Sequence, residues 1–476
     1  MQELRNFIDG AWRASSGTAE WRVLNPATAE TLAVGRASTS GDVADAVAAA
    51  KRAMPKWAAL THGDRSAILH TLADRLAADT DTIIALEVAN AGKPVTAFRD
   101  DELPAILDAS RYFAGVGRSL SAPASGEYIA GRTSISRREP VGVVAAITPW
   151  NFPLMQVILK LIPALAVGNT VVLKPAELTP LTAQRLAELA DDVLPAGVFN
   201  VVQGPGDPTG TALVAHPDVA LVSFTGSVGA GRAIARSAAD GLKRVVLELG
   251  GNAPAIVFDD ADLDVAATTL VACGLGNAGQ DCTASSRVLV HRDGYDQLLE
   301  RILKAVGQVR IGATDDPETE LGPLISASQR SRVEALIDGR SRGSRLLTGG
   351  GRPDLPGFHL EPTVIADVEQ SEPIVQQEIF GPVITVQAFD TDEQALALGN
   401  GTPYGLAASV WTQNLARAHR FSASLNAGSV WINDHTLFSP DVPQGGYGDS
   451  GYGKENGLLG AEELTRLKQI SVNLGS

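Results

Sequence analysis

The sequence predicts an α/β protein made of two doubly wound parallel-sheet domains with a small β element attached. Three observations carry this reading. Short apolar runs alternate with helical patterns every twenty to thirty residues or so, the rhythm of strand–helix–strand crossovers in a parallel sheet. The length of 476 residues exceeds one typical core, so two domains are expected. Two polar, alternating stretches, 127–139 and 465–474, fit neither sheet and read as strands that pair with each other or with another subunit's edge.

Taken in order, residues 7–13 and 21–36 carry short β-rich runs with a turn at Asn25-Pro26. From Ser40 to Leu76 the apolar positions Val43, Val47, Ala50 and Met54, then Ile68, Leu72 and Leu76, recur at three or four, which predicts helices. Ala91-Gly92-Lys93-Pro94 ends a helix, and Asp101-Glu102-Leu103-Pro104 begins another with acids and proline where a helix start favours them. Runs at 143–148, 170–174, 199–203, 220–224 and 244–248 predict buried parallel strands, with helices at 154–166, 181–193, 208–215 and 229–238. The same logic resumes with strands at 255–258, 287–291, 383–389, 406–411 and 429–432 and a helix at 263–275. The expected division is 1–121 with 140–248 as a nucleotide-binding domain and 249–450 as a catalytic domain. Segments 122–139 and 451–476 complete it as an oligomerisation element and C-terminal tail.

Composition excludes several classes. A formal net charge of -15 with no basic cluster repels a phosphate backbone, so no nucleic-acid partner is expected. Cys273 and Cys282, separated by eight residues, form neither a CxxC pair nor a disulfide framework, which fits a reducing compartment. Met1–Asn6 lacks an apolar signal region, and the apolar stretch from Leu154 to Leu173 is broken by Lys160, Pro163 and Gly168. A cytoplasmic protein with no membrane partner is expected. The seven histidines show no HExxH or paired spacing, so no metal is expected.

Ligands of a parallel sheet bind outside the carboxyl ends of its strands. Five consecutive predicted strand ends each carry a distinctive motif: Pro149–Pro153, Lys174–Glu177, Gly204-Pro205-Gly206, Phe224–Ser227 and Glu248–Gly251. Gly226-Ser227 opens a helix and offers free N–H groups and a hydroxyl to phosphate. Lys174 and Glu177 can hold a ribose, and a carboxylate there disfavours a 2′-phosphate, so NAD is expected over NADP. The usual GxGxxG is absent, and Gly204–Gly210 takes only a minor place near adenine. About thirty residues separate Glu248, a candidate base, from Cys282, a candidate nucleophile. In isolation such a pair reads as a surface glutamate and a buried cysteine; the surrounding motifs change that reading.

Pro149–Pro153, Lys174–Glu177, Phe224–Ser227, Glu248–Gly251, Gly279–Cys282 and Glu378–Pro382 together resemble the signature set of the NAD(P)-dependent aldehyde dehydrogenase superfamily, in order, over nearly the whole chain. The resemblance implies NAD-dependent oxidation of an aldehyde to a carboxylic acid through a cysteine thiohemiacetal and a thioester. It implies Cys282 as nucleophile, Asn151 and the Cys282 N–H as oxyanion donors, and Glu248 as the base for hydrolysis. It implies that Glu378 and Phe380 hold the nicotinamide ribose. Thr148, Pro149, Trp150, Asn151, Lys174, Ala176, Glu177, Gly204, Phe224, Gly226, Ser227, Leu249 and Gly250 line the rest of the cofactor site in this reading. It also implies a homodimer or homotetramer through 127–139 and 465–474.

Within the superfamily the chain looks most like the 4-aminobutyraldehyde dehydrogenases of polyamine and putrescine catabolism, on Asn277–Ala284, with aspartate before the nucleophile, and on Asp100–Ile106 leading to Arg111–Gly115. Asp101, Glu102 and Asp281 are then the expected carboxylates for a substrate ammonium, against the alternative that the first two merely cap a helix. Leu159 stands where that family usually has tryptophan, which alters the tunnel wall. A broad aliphatic or aromatic specificity, a succinate semialdehyde specificity, a CoA-acylating relative and a catalytically silent NAD-binding structural protein remain as alternatives. Gly448-Asp449-Ser450-Gly451 echoes a serine-protease motif but lacks its flanks, and is expected to be a glycine-rich turn.

Overall fold

Apolar β-branched runs and the helices that cover them build two sheets, and the computed structural model describes residues 2–475. The first sheet holds β1 (Val143–Ile147), β2 (Thr170–Lys174), β3 (Phe199–Val201), β4 (Val219–Gly226) and β5 (Arg244–Leu249), all parallel, in the order β5-β4-β1-β2-β3. Antiparallel edges extend it: Asn6–Ile8 and Ala11–Arg13 beyond β3, and Gly451–Tyr452 beyond β5. Because the chain runs β1-β2-β3 in one direction and then returns to β4 on the other side of β1, the crevice between the ends of β1 and β4 is a topological switch point.

The second sheet holds β6 (Pro254–Val257), β7 (Arg287–His291), β8 (Thr363–Ala366), β9 (Val383–Phe389), β10 (Ala407–Trp411) and β11 (Ser429–Ile432), in the order β8-β9-β7-β6-β10-β11. These strands are parallel, and Arg345–Thr348 adds an antiparallel edge to β8. Helix Leu263–Leu275 packs Ala266, Leu270 and Val271 into its core. A separate sheet pairs Thr465–Asn473 with Arg132–Pro140 over nine residue pairs, with Ser125–Ile129 on the other side.

Three details differ from the sequence expectation. Segment 451–464 packs with the first domain and not with the sheet formed by Arg132–Pro140 and Thr465–Asn473. Gly451–Tyr452 closes the first sheet, and Ala461 and Leu464 pack into the first domain's core. The helix expected at 181–193 ends at Ala190, and the one expected at 208–215 is a wide turn followed by Thr211–Ala215. Both domains' sheets also carry antiparallel edge strands; the run at 7–13 supplies Asn6–Ile8 and Ala11–Arg13, whereas Arg345–Thr348 and Gly451–Tyr452 were not expected. Among the described residues no helix is long and apolar enough to cross a membrane.

Candidate active site between the two sheets

The loops bearing the sequence motifs converge from two directions. Thr148–Asn151, Phe224–Ser227 and Glu248 leave the carboxyl ends of β1, β4 and β5. Gly251, Cys282 and Glu378 precede β6, β7 and β9, so they arrive from the amino ends of the second sheet. The site therefore lies where one sheet's carboxyl edge faces the other's amino edge.

Cys282 sits on a strained loop. Asn277 and Ala278 before it have φ of 50° and 56°, a left-handed conformation that costs a side-chain-bearing residue about 1 kcal/mol or more. The Asn151 amide donates to the Gln280 carbonyl at 2.9 Å, and Asn277 donates to the Asn151 carbonyl at 2.9 Å. Asn151 is thus locked against the Cys282 loop with one amide hydrogen uncommitted to Gln280. Burial pushes the Cys282 thiol well up, and Asp281, Glu378 and Glu248 add to the shift; its own backbone N–H acts the other way. Gly251 makes the approach possible, since a Cβ there would stand 2.1 Å from the Cys282 carbonyl oxygen.

Glu248 is pushed up to about 8, chiefly by burial and then by Glu455; Lys160 and Lys454 oppose this. Its Oε1 is buried without a hydrogen-bond partner. Beneath it the fully buried Lys160 forms an ion pair with Glu455, and Ser223 bonds both at 3.2 Å. Sequence reasoning missed this support. Its signal was a lysine inside an otherwise apolar helix, read only as a break in a membrane span.

Glu378 is lifted to about 7 by burial, against a 2.9 Å bond from the Gly251 N–H. A Cβ on Gly250 would fall 2.2 Å from its Oε2. Phe380, at φ 53°, meets Trp150 edge to face at 5.1 Å. Arg332 donates to the Ile379 carbonyl at 2.6 Å and pins this turn. Ser450 of the glycine-rich turn is no nucleophile. Its hydroxyl donates to the Gly250 carbonyl at 2.7 Å and receives the Gly405 N–H at 3.0 Å, so it braces the same loop.

On the other flank Lys174 is buried, donates to the Gly204 carbonyl at 2.9 Å and lies 3.5 Å from Glu177. Burial lowers its ammonium pKa, with Glu177 acting oppositely. Ser227 caps helix Val228–Asp240 by accepting the Ala230 N–H, and Thr225 Oγ1 is buried with no partner. Thr148, Ala176, Phe224 and Leu249 are buried around these groups.

The three expected substrate carboxylates part company. Asp101 is exposed on the turn Phe98–Glu102. Asp281 is half-buried beside the nucleophile, with Oδ1 taken by the Thr283 N–H at 2.8 Å and the Thr283 hydroxyl at 2.9 Å. Glu102 contradicts the expectation of a free counter-charge. Its carboxylate turns inward to an ion pair with buried Lys93, which also lies 3.9 Å from Glu87. A lysine sealed among Phe98 and Phe152 needs that partner more than a transient ligand does. Cys273 is also no second nucleophile, since its thiol donates to the His435 carbonyl at 3.4 Å from within helix Leu263–Leu275. Asp259, His291 and Asp293 bring ligand atoms within 4.8 Å of one another, but at the carboxyl ends of β6 and β7, opposite the Cys282 loop.

The family model for the aldehyde dehydrogenase family matches residues 12–470. The chain belongs to the aldehyde dehydrogenase family. Solved relatives agree along the whole length. The NAD+ complex of an aldehyde dehydrogenase from Bacillus cereus is 39% identical with a TM-score of 0.97, covering 100% of this chain and 97% of that one. An NAD-dependent aldehyde dehydrogenase from Sinorhizobium meliloti is 38% identical with a TM-score of 0.97, covering 100% and 96%. A betaine aldehyde dehydrogenase from Staphylococcus aureus, in complex with NAD+, is 37% identical with a TM-score of 0.96, covering 99% and 98%. This aldehyde dehydrogenase thus carries the family fold with its motif-bearing loops gathered at one site.

Proposed function

We propose that this aldehyde dehydrogenase oxidises an ω-aminoaldehyde such as 4-aminobutanal to the corresponding amino acid, with NAD as acceptor. The observation that supports the chemistry is that the Asn151 amide bonds the Gln280 carbonyl two residues before Cys282, while Glu248 lies near enough to act on the Cys282 thiol. NAD fits the residues around it. The β1–β4 switch point, the capped helix at Ser227, the unpartnered Thr225 hydroxyl and the bare Gly250 before Glu378 form a cradle for pyrophosphate and two riboses. Lys174 and Glu177 hold the adenosine ribose in this reading, and Glu378 with Phe380 the nicotinamide ribose. When bound, NAD takes up the hydride that leaves the substrate carbon.

The protein's own residues do the rest. The Cys282 thiol sheds its proton to solvent and its sulfur bonds to the aldehyde carbon, while the carbonyl π pair moves to the oxygen, where the Asn151 amide and the Cys282 N–H meet the charge. After oxidation the acyl group is a thioester on Cys282. Glu248 takes a proton from water, the water oxygen bonds to the carbonyl carbon, and the C–S bond breaks to release the acid and restore the thiolate. A base lifted to about 8 has the proton affinity this step needs near neutral pH. A CoA-acylating role would leave such a base without work.

Specificity for an amino group rests on Asp281, whose Oδ2 carries no intramolecular hydrogen bond among those of the described residues, with exposed Asp101 further out; Glu102 has no part in it. An ammonium paired at such a half-exposed carboxylate gains about 1 kcal/mol, roughly five-fold. The relative from Staphylococcus aureus is named for another cationic aldehyde. The strand Thr465–Asn473, whose outer edge is unpaired among the described residues, and its neighbour Arg132–Pro140 are the interface of a homodimer or homotetramer in this reading. The test is a panel of 4-aminobutanal, betaine aldehyde, butanal, benzaldehyde and succinate semialdehyde compared by kcat/KM, with Asp281→Asn beside the parent. The aminoaldehyde reading requires 4-aminobutanal to exceed butanal and Asp281→Asn to erase the margin. Equal efficiency for the two in the parent refutes it.

A further inference from the structure

A buried histidine outside the assigned chemistry ties the nucleophile loop to the second sheet. His435 is 2% exposed and lies in the loop after β11. Its Nε2 is 2.8 Å from the Thr283 carbonyl, one residue past Cys282, and its Nδ1 is 2.8 Å from Ser409 Oγ on β10. A carbonyl can only accept, so Nε2 carries the hydrogen. Trp411 donates its indole N–H to Ser409 Oγ at 3.1 Å, and that hydroxyl donates onward to Nδ1. Every donor and acceptor in the chain Trp411–Ser409–His435–Thr283 is then used once, in one direction.

The backbone on both sides of this chain is strained. Asn433 and Thr436 bracket the histidine with φ of 53° and 61°, and a β-branched residue rarely holds the latter. On the opposite loop Asn277 and Ala278 are left-handed too, and Asp281 Oδ1 gathers Thr283 from the other side. Strain of this kind persists only where surrounding bonds over-determine the conformation. The Cys273 thiol on the His435 carbonyl also ties the histidine's loop to helix Leu263–Leu275.

We infer that His435 is a positioning residue for the aldehyde dehydrogenase reaction, a strut whose Nε2–H holds the Thr283 carbonyl and thereby aims the Cys282 sulfur and the Cys282 N–H at the substrate carbonyl. It touches neither substrate nor cofactor. Packing alone would need the ring's volume; positioning needs its Nε2 donor at one place.

Two amide variants separate those demands. Glutamine places its N–H₂ where Nε2 stands and can donate to the Thr283 carbonyl; asparagine places its amide at the level of Nδ1 and reaches only Ser409. His435→Gln is expected to keep kcat within about three-fold of the parent. His435→Asn is expected to lower kcat by about ten-fold or more, with KM for NAD unchanged. The iodoacetamide alkylation rate of Cys282, followed by site-resolved mass spectrometry without substrate, is expected to shift in the asparagine variant and not in the glutamine one. Circular dichroism and Tm confirm that both variants fold. Equal kcat in the two variants, whether both high or both low, overturns the inference, as does a higher kcat in His435→Asn.

Discussion

The Glu378 clamp is tested by one methyl group. Gly250→Ala would place a Cβ 2.2 Å from Glu378 Oε2 and 2.7 Å from its carboxyl carbon. Neither distance is tolerable, so the carboxylate must swing away and give up its 2.9 Å bond from the Gly251 N–H. A hydrogen bond to an ionised acceptor is worth about 1.5–3 kcal/mol. Losing the ribose contact of that kind raises the Kd for NAD about 10- to 150-fold. Since burial lifts Glu378 to about 7, the carboxylate is ionised above that pH, and the difference between parent and variant grows as pH rises through it. Titrating NAD against intrinsic fluorescence, with Trp150 beside Phe380 as reporter, measures the Kd directly. Gly115→Ala, on helix Leu103–Val116, is the control because a Cβ there meets nothing within 4 Å. An NAD affinity in Gly250→Ala within about two-fold of the parent at alkaline pH would refute the clamp.

Other perturbations follow from the same geometry. Asn151→Ala removes one oxyanion donor and should lower kcat about 10²- to 10³-fold at saturating NAD and aldehyde, in steady-state assays. Glu248→Gln should leave a single burst of NADH with little turnover after it, seen by stopped flow, because the thioester forms but does not hydrolyse. In the parent, hydrolysis should rise with pH through about 8, since below that value Glu248 is protonated and cannot take water's proton. The folded value lies above the unfolded one, so the stability cost of ionising Glu248 is absent at acid pH, grows as pH rises and is full above about 8. Thermal melts should accordingly show Glu248→Gln gaining on the parent as pH rises from acid to alkaline. Glu177→Ser should narrow the preference for NAD over NADP in kcat/KM, by removing the charge that opposes a 2′-phosphate.

Local pattern made the fold legible. The run Thr170–Lys174 is wholly buried and could be nothing but a central strand, and the predicted bounds match the observed ones. The other parallel strands were visible for the same reason, because a strand covered on both faces must be apolar throughout, except Thr363–Ala366, whose four residues are too short a run to stand out. Edges were not visible. Arg345–Thr348 and Gly451–Tyr452 are short and partly exposed, so their sequences need no pattern that announces them. Their pairing is set by the partner strand, not by their own residues.

The division at the active site has the same origin. By itself the sequence determined which residues are candidates for the chemistry, Cys282, Glu248 and Asn151, and the strand-end motifs around them, because side-chain chemistry and turn residues are written at single positions. Only the tertiary structure decided which groups those residues face. Glu102 turned to Lys93 and left the substrate side, Lys160 and Glu455 came together across 295 residues beneath Glu248, and Ser450 reached back 200 residues to brace Gly250. A charge buried at one point in the chain must find its counter-charge wherever packing brings one, and no local pattern says where that is.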